Sequence, residues 1–273
     1  MTDLEAIERL PRLQHRGRVG RLRVLALEWT KLRSVRSTAW SLALAILFVI
    51  GIAGIASYVQ IHHFKTAAAL RANVHPLEIS LAGVQLGQLA IGVLGVLLIT
   101  GEYSTGMIRS TMAAVPKRLP VLWAKAIVYA LVTGVLMIPS TVAGFFLAQA
   151  VLSTRGASIG FGVHGVARAV TGAGLYLVVV ALFGLGLGAI VRNTAGGIAT
   201  FAGIMFVLPP LLNVLPASWN RAASPYLPLQ AGEAVMQIYP GNQLAPWTGF
   251  GVFCAYAAVS LAIPAALLVR RDV

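Results

Sequence analysis

The chain has 273 residues, 58% of them hydrophobic and only 11% charged, with a mean hydropathy of +0.83. Soluble domains are roughly 45–50% apolar and about 25% charged, so this composition cannot cover a water-soluble fold with polar surface. Lipid removes that need. A net charge of +13 raises nucleic acid as a partner, and a single Cys254 excludes a disulfide framework and a Cys-based metal site.

The first 39 residues form a basic segment ahead of the first apolar run. Asp3, Glu5, Glu8 and Glu28 make it a poor signal-peptide n-region, so the first span is expected to be retained. Within it, Leu22, Leu25, Trp29, Leu32 and Val35 recur at steps of three and four. Arg21, Glu28, Lys31, Arg33 and Arg36 take the intervening positions. This predicts an amphipathic helix over Leu22–Arg36 lying in the membrane interface. The dense Arg16–Arg23 run lacks the interleaved aromatics of a base-stacking platform, so no nucleic-acid partner is expected.

Six apolar stretches then meet the roughly 20-residue requirement for crossing hydrocarbon: Trp40–Tyr58, Ile79–Thr100, Val121–Leu152, Ala169–Val191, Gly196–Leu215 and Trp247–Val269. Apart from Lys125 near one end, none holds Lys, Arg, Asp or Glu, each of which costs up to about 3.5 kcal/mol at a span centre. The third stretch is too long for one straight crossing. Either Pro139 kinks it, or the helix tilts and extends past the bilayer.

With the N-terminus inside, sixteen Lys and Arg fall on the inner side and five on the outer. The outer five are Lys65, Arg71, Arg155, Arg168 and Arg221. The positive-inside rule then puts both termini in the cytoplasm, with the inner arginines facing anionic lipid headgroups.

Between the second and third spans lies GEYSTGMIRSTMAAVPKRLP, residues 101–120. Ser104 or Thr105 can cap a short cytoplasmic helix ending before Pro116. The last outer connection, Pro216–Pro246, is long and proline-rich. With the helix-breaking pair Pro209-Pro210, it predicts one or two short helices re-entering the outer leaflet.

Much chemistry is missing. Asp3 and Asp272 are the only aspartates, and no H-E-x-x-H motif or phosphate loop occurs. His62, His63 and His75 have no carboxylate or thiolate at useful spacing to complete a metal site. No acid or base sits mid-span to relay protons. The spans do offer Gly83/Gly87 and Gly184/Gly188, four apart, for close helix approach. Gln85 and Gln88, three apart on one face of the second span, must look into a bundle, an interface or a pathway.

Leu27–Thr38, LEWTKLRSVRST, resembles the interfacial "elbow" helix of the ABC-2 type permeases, particularly the actinobacterial ones. Gly101–Arg109, GEYSTGMIR, followed by Pro116 and Arg118, is similar to that family's cytoplasmic coupling segment. Ser224–Pro228 with Ala231-Gly232 is similar to its last extracellular connection. The resemblance covers nearly the whole chain and implies an ABC-2 transmembrane domain over 40–273. It also implies two membrane subunits, identical or homologous, paired with two separate ATPase chains that carry the ATP and Mg. This chain would itself bind no cofactor and perform no hydrolysis. Carried over by position, Glu102 opens the coupling helix, and Tyr103, Thr105, Met107, Ile108 and Arg109 meet the ATPase. Glu28, Lys31 and Arg33 flank that contact from the elbow. The expected function is an exporter half for a hydrophobic or amphiphilic cargo. The alternative is a non-transporting membrane scaffold or immunity protein.

Overall fold

The computed structural model describes residues 21–104, 119–214, 216–238, 241 and 243–270, and every regular element among them is a helix. Thr105, Met107, Ile108 and Arg109 of the expected coupling segment lie outside the described residues.

Helix α1 (Arg21–Ser34) is followed after Val35 by α2 (Arg36–His63). Short helices α3 (Ala67–Asn73) and α4 (Pro76–Leu81) lead into α5 (Val84–Ser104). Then come the long helices α6 (Leu119–Ser153) and α7 (Val166–Val191). Helix α8 (Thr194–Ala202) passes through a widened π turn, Gly203–Val207, into α9 (Leu208–Leu212). Two more short helices, α10 (Ala217–Ala223) and α11 (Pro228–Glu233), precede α12 (Pro246–Arg270).

Six stretches are long and apolar enough to cross a membrane: Arg36–His63, Pro76–Ser104, Leu119–Ser153, Val166–Val191, Thr194–Leu212 and Pro246–Leu267. They alternate in direction, and α1 marks one end of the bundle, called inner below. All six observed spans start ahead of their apolar runs because the ends are set by local backbone chemistry, while the fourth ends with its run at Val191 and the fifth stops at Leu212, short of Leu215. Pro76 opens α4 at a position that needs no amide donor. The Asn193 side chain accepts from the Gly196 amide at 2.9 Å to cap α8. Arg192, with φ 58°, closes α7 in the left-handed conformation. Two residues therefore suffice to turn the fourth span into the fifth.

Helix α6 is one continuous helix of 35 residues with Pro139 inside it. At 1.5 Å per residue it is about 52 Å long, well beyond the roughly 30 Å of a hydrocarbon core. Pro139 therefore does not divide this stretch into two helices. The Pro209-Pro210 pair does not break the fifth span as expected. The π turn precedes it, and both prolines fall in the first turn of α9, where missing amide donors cost little.

The bundle is organised around α7. Its apolar window is 72% buried, against 28% for the first span and 22% for the fifth. Small residues allow this. A Cβ on Gly184 would fall on the carbonyl oxygen of Gly92 in α5, and one on Gly188 would lie 2.9 Å from the Val96 carbonyl oxygen. Gly83 meets the α2 backbone in the same way, 2.5 Å from the Val49 carbonyl oxygen. The glycine pairs noted in the sequence thus join the second span to the fourth and the first.

Candidate functional sites at the two ends of the bundle

At the inner end, α1 supplies Glu28 and Lys31, the last turn of α5 supplies Glu102, and the second turn of α6 supplies Lys125. Lys125 Nζ donates to Glu28 Oε2 at 2.6 Å and to Glu102 Oε1 at 2.9 Å. Lys31 Nζ donates to Glu28 Oε1 at 2.9 Å and to Glu102 Oε1 at 3.2 Å. Among the described residues, two cations and two anions thus form a quartet of ion pairs. Glu28 and Lys125 are buried, Glu102 is nearly so, and Lys31 is partly exposed. Burial pushes the Lys31 ammonium down, but the hydrogen bond and charge of Glu28, with the charge of Glu102, more than offset it, leaving the group above its ordinary value.

The quartet fastens the amphipathic α1 to both flanks of residues 105–118. Beside it, Tyr103 packs in a small apolar cluster with Ile99, Leu122 and Ala126. Its ring also takes the Arg192 guanidinium at 5.6 Å. Of the elbow residues expected to flank a partner, Glu28 is turned into the chain's own interior and Arg33 is exposed. Lys125 did not stand out in the sequence, because a lysine at a span end ordinarily snorkels. Its only sequence signal is that it lies five residues beyond Pro120, inside the apolar run.

The outer end holds a polar relay. Gln85 Nε2 donates to Glu233 Oε1 at 2.5 Å, Gln88 Nε2 donates to Gln85 Oε1 at 2.8 Å, and the Tyr176 hydroxyl donates to Gln88 Oε1. Gln88 and Tyr176 are fully buried, and Gln85 is exposed toward a cavity of about 1020 Å³. The two glutamines singled out in the sequence are therefore successive links between that cavity and the bundle core. Glu233 is an addition. The span inventory shows no mid-span acid, yet α11 carries this carboxylate down to Gln85, the tenth residue of the second span. Burial pushes the Glu233 carboxyl up to about 7, against the smaller opposing effect of its bond from Gln85.

Helix α11 is held there by packing and by one arginine. A Cβ on Gly232 would collide with the Tyr176 ring and lie 2.7 Å from Phe253 Cδ1. Arg168, at the head of α7, donates to the Val235 and Gln237 carbonyl oxygens at 2.9 and 2.8 Å. The histidines are dispersed. His62 stacks on Tyr58 with centroids 4.1 Å apart, His63 meets Phe64 edge-on, and His75 lines the cavity.

No family model matches the chain, and no curated protein matches it.

Proposed function

We propose that the chain is the permease subunit of an ATP-binding cassette exporter, a membrane protein moved by ATPase chains that dock at the segment after its second span. The observation that supports this reading most is the inner quartet. An engine pushing on residues 105–118 needs a stiff joint at both flanks of that segment, and Glu102 and Lys125 are those flanks. Through Glu28 and Lys31 the same joint includes α1, which by its apolar-and-basic pattern lies in the membrane interface as an elbow. Buried ion pairs favour discrete arrangements over gradual deformation, which suits a device with two conformations.

In this reading the protein works as a pair of permeases with two ATPases, and ATP and Mg stay on the ATPases. Helices α10 and α11 are short re-entrant elements. Gly232 packs on Tyr176, ten residues into α7 and therefore about 15 Å along it. Irregular backbone at such depth is tolerated because protein covers it. The cargo is hydrophobic or amphiphilic, consistent with spans free of charge at their centres.

The test is to purify the chain from its native membrane and look for a bound subunit with a phosphate loop, then repeat with Arg109→Glu. Retention of the ATPase by the native chain and its loss from the variant, with the bundle still folded, is the expected result. Absence of any such subunit from the native preparation would favour the scaffold alternative.

A further inference from the structure

The cavity at the outer end is walled by α3, α4, the start of α5, the Pro209-Pro210 turn, α10 and α11. Its charged groups divide into two sets. Arg71, His75, Glu78 and Arg221 are exposed at the rim. Arg71 is engaged with the Gly156 carbonyl oxygen at 2.8 Å, and Arg221 with that of Ala217 at 3.3 Å. Water screens charges in such positions. Glu233 is the deeper charge, held by α11 against Gln85, and no cation pairs with it among the described residues.

Two further acceptors belong to residues that border the same space. Gln230 Oε1 and Gln243 Oε1 are buried without a hydrogen-bond partner, and both residues line the cavity. Gln230 sits three residues before Glu233 and so on the same side of α11. A buried acceptor left unmatched costs about 1–3 kcal/mol. Glu233, whose Oε1 accepts from the Gln85 amide, and two glutamine oxygens left without a partner therefore border one space. The lining also includes the apolar Leu81, Val84 and Met236, beside the neutral polar Asn213, Asn220 and Ser224.

We infer that this cavity binds an organic ammonium ion, a molecule whose –NH3+ rests on Glu233 and donates to Gln230 and Gln243 while its apolar body lies on the apolar part of the wall. A primary ammonium has three donors and no acceptor, which matches these three acceptors. The relay through Gln85 and Gln88 to Tyr176 would carry the presence of that charge into the core. The site is independent of the motor reading, since a chain with no ATPase would still have it.

The experiment uses the purified full chain in phosphatidylcholine nanodiscs, with empty discs subtracted, and three probes sharing an indole body. These are tryptamine (ammonium), indole-3-ethanol (neutral) and indole-3-propionate (anion). At pH 8, tryptamine should bind about tenfold more tightly than the alcohol, the ratio expected of one charge-assisted hydrogen bond, and the anion least. Glu233→Gln should bring tryptamine and the alcohol within about twofold. In the native chain the preference should shrink as the pH falls from 8 to 6 and Glu233 takes up its proton, tryptamine staying charged throughout. His75 and the other rim groups, Arg71, Glu78 and Arg221, also face this space. The pH dependence must therefore vanish in Glu233→Gln, and its survival there would assign the effect to the rim and overturn the proposal. Equal binding of the three probes, or preference for the anion (as amides turned to present their NH2 groups would give), overturns it as well. If Glu233→Gln does not fold, Gln230→Ala decides, weakening tryptamine and sparing the alcohol.

Discussion

Lys125 contacts two carboxylates from two different helices, and the reason to expect a large effect from it is the asymmetry of buried charge. Removing one member of this quartet leaves a surplus charge with no water to solvate it, and such losses run to about 3–5 kcal/mol. Lys125→Met should lower the thermal unfolding midpoint in detergent by the equivalent of about 3 kcal/mol, with Lys125→Arg much closer to the native chain. A charge swap, Glu28→Lys with Lys125→Glu, should recover part of the loss of each single variant. Strict additivity of the two would mean that the pair does not interact in solution. Glu233 makes the opposite case, a single carboxyl whose ionised form is disfavoured. With a folded value of about 7 against 4.5 for the free group, the native state holds its proton longer than the unfolded chain does. Stability from this source is in full below pH 4.5, falls as the pH rises to 7, and is lowest above that. The span is at most about 3 kcal/mol, at 1.36 per unit. Glu233→Gln should therefore raise the unfolding midpoint at pH 8 and leave it unchanged near pH 4.5. Equal effects at both values would show that the carboxyl is solvated.

At the scale of elements, the spans were legible and the sites only in part, for reasons visible in particular helices. An apolar run of about 20 residues announces a crossing by its length alone, so all six spans could be read. Most of their ends could not, since Pro76 and Asn193 start helices through backbone geometry outside the apolar run; the end of the fourth span at Val191, closed by Arg192, was legible. Glu28, Lys31 and Glu102 stood out only through a family resemblance. Their partner Lys125 lies 97 residues from Glu28, and no local pattern reports a pairing at such distance. Glu233 gives no clear signal because a glutamate in an outer connection is ordinarily solvated; its apolar flanks, Ala231-Gly232 and Ala234-Val235-Met236, are the available hint. Gly184 and Gly188 were legible as small residues, but which helix they admit follows only from the fold. That contact carries its own prediction. Gly184→Val must push α5 away from α7 at the Gly92 carbonyl, and overpacking of this kind costs about 1–3 kcal/mol or more. A drop in folded yield and in unfolding midpoint is expected. Gly251→Ala, where an added Cβ meets nothing within 4 Å, should be neutral or slightly stabilising. Similar behaviour of the two variants would remove α7 from its place as the centre of the bundle.

Over the whole molecule, two independent patterns bear on how the bundle sits in a membrane, one on its depth and one on which way it faces. Exposed tryptophans gather at its two ends: Trp29, Trp40 and Trp123 near α1, Trp219 and Trp247 at the opposite end. Such belts mark the two headgroup regions and fix the depth of the helices in lipid, but they carry no sign. The sign comes from charge: among the described residues eight basic side chains belong to the end with α1 and five to the other. The motor reading requires that this end face the cytoplasm, where ATP is, and the ammonium site then faces out. A single cysteine at Ser110, in a chain whose Cys254 is replaced by Ser, provides the test with a membrane-impermeant maleimide. Labelling should be absent in intact cells and strong in inside-out vesicles, and a second cysteine variant at Arg221 should show the reverse. Labelling of Ser110 in intact cells would put residues 105–118 out of reach of any ATPase and end the motor reading. The six-helix bundle and the quartet at its base would stand, leaving a membrane protein whose stiff joint serves some partner on the outer face.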